Sequence, residues 1–427
     1  MFPFLLELIL PCHFLLLSLV RCDGIEHAVI NHAPSSQLQC IRPESLSIAP
    51  LDTPNRLYDV VSTIPRMKPF RNGFLKYNCS RHPLDPDPEA YCIFFNPNIN
   101  QGMGMVIVTK ESIIEASLPK FDFSEELPVP SSIEIVKMPE KGGVGAVAAH
   151  DLKRGEPIAR IRAVGIFAND PRLWWTEFGR TYRRQAIELL PLRTRDMINN
   201  LASSETENSY DEFLESALKV NTFTTILDSE SSIGHSALVL EPAVRLNHAC
   251  RPNVGYSMNN TTQTLHMMAL RDIPEGEELT ISYRAPELPH QVRRDALEFF
   301  YGFRCSCSHC QLSSEQRRIS DERVQRIIEL QYMHYNEQEW LSITQVLDLI
   351  KLCQQERLPY PLINAYYIAA QVYNAHGKTQ QAIYFSGKAK EDGLMFEGPW
   401  WEYLEEAKIL SESPEKHDSY SNVIRED

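Results

Sequence analysis

The period of the apolar residues changes several times along this chain, and each change predicts a different element. Tyr91-Cys92-Ile93-Phe94-Phe95 and Met105-Val106-Ile107-Val108-Thr109 are short apolar runs separated by an Asn-Pro-Asn and glycine-rich turn, the pattern of two paired strands. Glu111 to Leu118 reads as a short helix, and Pro119, Pro128 and Pro130 then flank acidic residues in a predicted linker. A new strand is expected at Ile133-Glu134-Ile135-Val136. Arg180 to Leu190 and Tyr210 to Val220 carry apolar residues three and four apart, the spacing of one helix face. Pro274 to Glu278 reads as a turn leading into a β-rich run, Leu279 to Tyr283. From 313 to 412 the pattern is that of long amphipathic helices. One unit there, Ala365 to Tyr373 followed by Gly377 and Ala382 to Phe385, is similar to a tetratricopeptide helix pair.

These changes divide the 427 residues into an apolar leader (1–24), a cysteine-containing N-terminal region (25–130), a central region (131–312), a helical region (313–412) and a polar tail (413–427). That is room for two or three domains of roughly 150 residues each. Hydrophobic residues make up 43%, enough to build cores, and the formal net charge is −14. The chain shows no basic stripe, which argues against direct binding to a nucleic-acid backbone. An acidic surface suits a basic partner such as a lysine-rich peptide.

The leader pulls the reading in two directions. Phe14 to Val20 looks like the apolar core of a secretory signal, but Glu7 and Pro11 interrupt the run and no Lys or Arg precedes it. It is too broken for a membrane span, which needs about 20 clean apolar residues. No later stretch reads as transmembrane. Ten cysteines are present. Cys12, Cys22, Cys40 and Cys353 stand apart, while Cys79 and Cys92 are either a disulfide around a proline-rich loop or two reduced thiols. Asn78-Cys79-Ser80 and the overlapping triplets at Asn259 and Asn260 match glycosylation sequons, which matter only on a secretory route.

The chemistry concentrates between Arg245 and Cys310. Asn247-His248-Ala249-Cys250-Arg251-Pro252-Asn253 is followed by Gly276-Glu277-Glu278-Leu279-Thr280-Ile281-Ser282-Tyr283, and then by Cys305-Ser306-Cys307-Ser308-His309-Cys310. Upstream, Gly143-Val144-Gly145 precedes Asp151-Leu152-Lys153-Arg154-Gly155-Glu156-Pro157-Ile158. A GxG alone is usually a turn, and an isolated Asn-His is usually structural. Three thiols as close as Cys305, Cys307 and Cys310 are too many for an ordinary core, and zinc would need a fourth ligand.

Taken together these motifs resemble the SET domain of protein-lysine methyltransferases, specifically over residues 133 to 312 and loosely over 313 to 412. The chain is similar to the SET-and-MYND group, with one departure: no cysteine lies between Cys92 and Cys250, so a helical insert replaces the zinc-binding MYND finger. The resemblance implies an α+β fold, a SET-domain β-fold with a pseudoknot and a zinc-bound post-SET segment, followed by a helical, tetratricopeptide-like C-terminal region. It implies a monomer that transfers methyl groups from S-adenosyl-L-methionine to a lysine in a protein or peptide. Gly143, Val144 and Gly145, with Asn221, Asn247, His248 and Phe303, are the implied cofactor-binding residues, and Phe223 lines the implied substrate channel. Tyr283 and Tyr301 are the implied catalytic residues. Cys250, Cys305, Cys307 and Cys310 are the implied zinc ligands, with His309 competing for the fourth place. A cofactor made inside the cell and reduced thiolates favour cytosol or nucleus, whereas the leader favours secretion. The rival reading is a non-catalytic SET scaffold that binds a partner.

Overall fold

A computed structural model describes residues 67–423, apart from 84, 86, 129, 142, 175, 204–208 and 337–339. The leader, Cys12, Cys22, Cys40 and the earlier part of the N-terminal region lie outside the described residues. The elements below all belong to one unit, Lys68–Asp427.

The N-terminal strands are β1 (Lys68–Pro69), β2 (Leu75–Ser80), β3 (Tyr91–Asn96) and β4 (Met105–Lys110), followed by helix α1 (Glu111–Ser117). Strands β3 and β4 pair antiparallel, as their apolar runs and intervening turn predict. Every residue of both is buried, which explains why their sequences are continuous apolar runs rather than alternations. Cys79 and Cys92 face each other across β2 and β3 and are joined by a disulfide.

Next come β5 (Ile133–Met138), β6 (Gly143–Ala148), β7 (Pro157–Arg162) and β8 (Gly165–Ala168). The helical insert is finer than its two periodic stretches suggest. It comprises α2 (Pro171–Trp174), α3 (Glu177–Leu189), α4 (Leu192–Asn199) and α5 (Tyr210–Asn221). Side-chain oxygens of Thr176 and Ser209 cap the first turns of α3 and α5. Six strands follow: β9 (Thr222–Thr225), β10 (His235–Leu238), β11 (Asn247–His248), β12 (Val254–Asn259), β13 (Thr264–Ala269) and β14 (Glu278–Ile281). Helix α6 (His290–Tyr301) leads to the cysteine-rich loop. Five helices end the chain: α7 (Ser314–Asn336), α8 (Ile343–Gln355), α9 (Pro359–Ala375), α10 (Thr379–Phe396) and α11 (Leu404–Glu412).

The strands form sheets of order β1-β2-β3-β4-β8-β10-β9, β11-β14-β6-β5 and β12-β13-β7. A boundary is expected at Pro119–Pro130, yet the strands before it join the sheet of the strands after it. Strand β4 pairs in parallel with β8, Ile107 opposite Ile166. Phe74, Phe94, Ile107 and Leu118 also share one core with Ala146, Ile166, Leu246 and Ile281. A local pattern cannot show such a pairing, because it depends on which distant strand offers an apolar face.

The C-terminal helices build a second core around Val346, Leu349, Ile368, Ala369 and Trp401, into which Met268 and Leu270 of the β13 region insert. Ser342 and Gln345 form a reciprocal capping box at the start of α8. Among the described residues, no helix is long and apolar enough to cross a membrane.

Candidate functional site

The site is assembled where β11 runs parallel to β14, with Asn247 opposite Thr280 and His248 opposite Ile281. Asn253, fully within the fold, secures this arrangement. Its Nδ2 donates to Glu277 Oε1 at 2.9 Å and to the Glu278 carbonyl at 2.8 Å, and its Oδ1 accepts from Thr280 N at 2.8 Å. One amide thus closes the loop that begins at Cys250 onto the strand that leads to Tyr283. The sequence alone assigns Asn253 no role; its signal there is a Pro-Asn ending a chemistry-bearing segment.

Asn247 lies against the GxG strand. Its Nδ2 donates to Glu278 Oε1 at 3.0 Å and lies 3.5 Å from the Val144 carbonyl. Gly145 permits that approach. A Cβ there would stand 2.7 Å from Asn247 Nδ2 and 2.3 Å from Met138 Sδ. Gly143 and Val144 are exposed, and a Cβ on Gly143 would meet nothing within 4 Å. An open strand backbone therefore borders a half-buried amide. Lys141 forms an ion pair with Glu278 at the same edge.

His248 is buried and connects the parts. Its Nδ1 accepts from Tyr283 N at 3.0 Å, and its Nε2 lies 3.4 Å from Cys250 Sγ. The rings of Tyr283, Tyr301, Phe303 and His248 gather here. Tyr283 stands 4.9 Å from Tyr301, 5.4 Å from His248 and 6.2 Å from Phe303, centroid to centroid. The Tyr283 hydroxyl donates to the Leu246 carbonyl at 2.8 Å. Burial raises its pKa well above the usual tyrosine range, so at neutral pH it is a hydroxyl rather than a phenolate. Tyr301 Oη donates to the Tyr283 carbonyl at 3.3 Å. Gly302 takes a left-handed φ of 72° and ends α6, which turns the chain sharply between Tyr301 and Phe303.

Two predicted site residues have other direct partners. Asn221 is buried at the end of α5, and its Nδ2 donates to the Ala202 and Ala217 carbonyls at 2.7 and 2.8 Å. That amide nitrogen ties the end of α5 to its own last turn and to the segment after α4. Phe223, on β9, meets Tyr256 edge to face at 5.0 Å. Tyr360 of the C-terminal helices donates to the Tyr256 carbonyl at 3.0 Å, so the helical region reaches this aromatic pair.

The four cysteines converge. The Sγ atoms of Cys250, Cys305, Cys307 and Cys310 all lie within 4.8 Å of one another, and Cys250 and Cys310 are 3.5 Å apart. Thiolates held about 2.3 Å from a tetrahedral zinc would stand at such separations. Hydrogen bonds from Cys305, Cys307 and Cys310 hold the Cys250 thiol far below its usual range, which favours a thiolate there. His309 turns elsewhere, its Nε2 lying 3.4 Å from Ser320 Oγ. The soft donor set and its compactness fit zinc, with Cys250 rather than His309 completing the four.

The SET-domain family model matches residues 143–284 of this chain, the stretch that carries the GxG strand, the Asn247-His248 segment and Tyr283. Among curated proteins, the chain is similar to SET5-type and SMYD-type methyltransferases. The chain is 36% identical over 84 residues to the histone-lysine N-methyltransferase set5 of Schizosaccharomyces pombe, covering 19% of this chain and 26% of that protein. It is 28% identical over 188 residues to human histone-lysine N-methyltransferase SMYD3, covering 41% and 42%. It is 34% identical over 121 residues to N-lysine methyltransferase SMYD2-B of Xenopus laevis, covering 27% of each. The chain thus matches less than half the length of each of these relatives.

Proposed function

We propose that this chain is a protein-lysine methyltransferase that uses S-adenosyl-L-methionine. The observation that carries the reading is the convergence of Tyr283, Tyr301 and Phe303 on the Asn247-His248 segment, beside an open GxG strand. The exposed backbone of Gly143 and Val144, the amide of Asn247 and the face of Phe303 suit an adenosyl amino acid. They offer backbone hydrogen-bonding groups, a side-chain amide and an aromatic surface. Asn247, His248, Phe303 and the 143–145 strand would hold it, and Asn221 would act behind them through its helix end. When bound, the cofactor supplies an electrophilic methyl group on a sulfonium.

The chain's residues then have three tasks. Phe223, Tyr301 and Tyr283 form an apolar channel in which a lysine amine loses its proton more readily, because burial disfavours the charged form. The same rings hold the amine in line, and alignment supplies much of the rate. The Tyr283 hydroxyl directs its O–H to the Leu246 carbonyl, so its lone pairs remain to accept weak C–H···O contacts from a polarised methyl. Tyr283 is not the base, since burial keeps it protonated.

Zinc at Cys250, Cys305, Cys307 and Cys310 would fix the loop that follows Phe303, and with it the channel wall. The post-SET reading of that loop rests on the thiol cluster. The α9–α10 pair is carried as a tetratricopeptide-like cap. The substrate would be a lysine in a basic protein segment, attracted by a chain whose formal net charge is −14. Histones are the natural first probe, because set5 and SMYD3 are named for them.

Asn247→Ala tests the cofactor side. It deletes one hydrogen-bonding amide, so affinity for S-adenosylmethionine is expected to fall roughly tenfold, about 1–1.5 kcal/mol. Calorimetric titration of both proteins checks this. Equal affinities would remove Asn247 from the cofactor site.

A further inference from the structure

The residue that follows Cys250 is a buried arginine with no role in the methyl-transfer site. The Arg251 side chain is 9% exposed, and its partner Glu356 in the C-terminal helices is 4% exposed. Arg251 Nη1 donates to the carbonyls of Cys250 and Pro286, each at 2.8 Å, and Nη2 donates to Glu356 Oε2 at 2.7 Å. Glu356 is itself held, by Ser320 Oγ at 2.6 Å and by Arg323 Nη1 at 3.2 Å. The guanidinium therefore ties the backbone of a cluster cysteine to the turn between α8 and α9.

Burying two charges is costly, and an ion pair seldom recovers that cost as stability. The arrangement makes sense if a third charge lies close by. A zinc ion with four thiolates is a net dianion in a low-dielectric site. Arg251 adjoins Cys250 in the chain. Arg293, fully buried on α6, donates through Nη1 at 3.3 Å to the Pro286 carbonyl that Arg251 also holds, and Leu297, one turn later, packs in the same cluster as Cys250 and Cys305. Arg251 Nε, and Nε and Nη2 of Arg293, have no hydrogen-bond partner, so donor capacity is left over on both cations. Two cations with surplus donors thus meet at the Pro286 carbonyl, and Arg251 also holds the backbone of Cys250, in a cluster that would carry surplus negative charge when loaded.

We propose that Arg251 is the buried counter-cation of the metal–thiolate cluster and that Glu356 holds it in place, so that metal retention depends on docking of the C-terminal helices. This rests on the reading that the four cysteines hold zinc. Arg251 acts through the cluster and is a positioning residue. Glu356 orients the guanidinium but also draws off part of its charge, so removing Glu356 alone has opposed effects. The informative change removes both.

The test compares zinc loss to a chromogenic chelator, and thermal stability, in zinc-loaded wild type and in the double variant Arg251→Met/Glu356→Leu. Replacing a buried ion pair by apolar residues of similar size often preserves stability. The double variant is expected to melt within a few degrees of wild type yet to release zinc about tenfold faster, since outer partners of metal ligands commonly carry that much. Arg293 remains and limits the effect. A double variant that melts like wild type and releases zinc at the wild-type rate overturns the proposal. So does one that loses stability and zinc retention in the same proportion, because that is a merely structural role. Should the double variant not fold, Arg251→Gln and Arg251→Lys make the comparison. Faster release from the neutral Gln variant supports the counter-charge, and equal release from the two overturns it. Wild type that takes up no zinc is a separate outcome, seen first, and overturns the zinc reading together with the proposal.

Discussion

Tyr283→Phe is expected to lower methyl transfer roughly a hundredfold, the scale of a misplaced reacting group, while leaving the fold in place. The ring is retained, so its packing against Tyr301, His248 and Phe303 survives. The lost hydroxyl leaves the Leu246 carbonyl without this donor, a cost of about 1 kcal/mol. That is small beside the several kcal/mol by which a domain of this size is stable. On the proposed mechanism the reaction loses the oxygen that would accept contacts from the methyl. Affinity for S-adenosylmethionine should change little, because the 143–145 strand, Asn247 and Phe303 are untouched. Initial rates at saturating cofactor and circular dichroism on the same preparation check both halves. Full activity in Tyr283→Phe would remove the hydroxyl from the mechanism.

Cys250→Ser should cost zinc as well as activity. Cys250 is fully buried, close to the other three thiols, and the preferred thiolate of the four. Serine is a hard, weakly acidic replacement that cannot supply a soft thiolate at neutral pH. Zinc affinity is expected to fall on the order of a hundredfold, and transfer with it, since the loop carrying Phe303 loses its anchor. Elemental analysis after dialysis against a chelator reads the metal directly. Full zinc retention would instead make His309 the fourth ligand, against the 3.4 Å approach of its Nε2 to Ser320 Oγ.

The parts of this protein that were legible in its sequence are those where chemistry restricts the choice of residue. Gly145 admits no side chain beside Asn247, Asn247-His248 must present an amide and an imidazole, and a thiol cluster requires cysteine. Strand and helix positions showed through in Tyr91–Asn96 and Met105–Lys110, where full burial imposes an apolar run, and in Tyr210–Asn221, where one buried face imposes a period. What stayed hidden depends on distant partners. The pairing of β4 with β8 leaves no local mark, and neither does the ion pair of Arg251 with Glu356, 105 residues later. Asn221 illustrates the converse. The resemblance implies cofactor contact for Asn221, and its amide nitrogen donates to one carbonyl of its own helix and one of the segment after α4, which the sequence does not show. Identity at one position does not report which of its atoms are already engaged.

The open GxG strand and the Asn247-His248 segment are proposed to form a site for S-adenosylmethionine. Isothermal titration of S-adenosylmethionine into zinc-loaded, full-length protein tests it most directly, without requiring the substrate to be known. A saturable heat with one cofactor bound per chain is the result expected of a methyltransferase. A folded, zinc-loaded protein that gives no saturable heat would contradict the claim and favour a scaffold that binds a partner without transferring methyl groups.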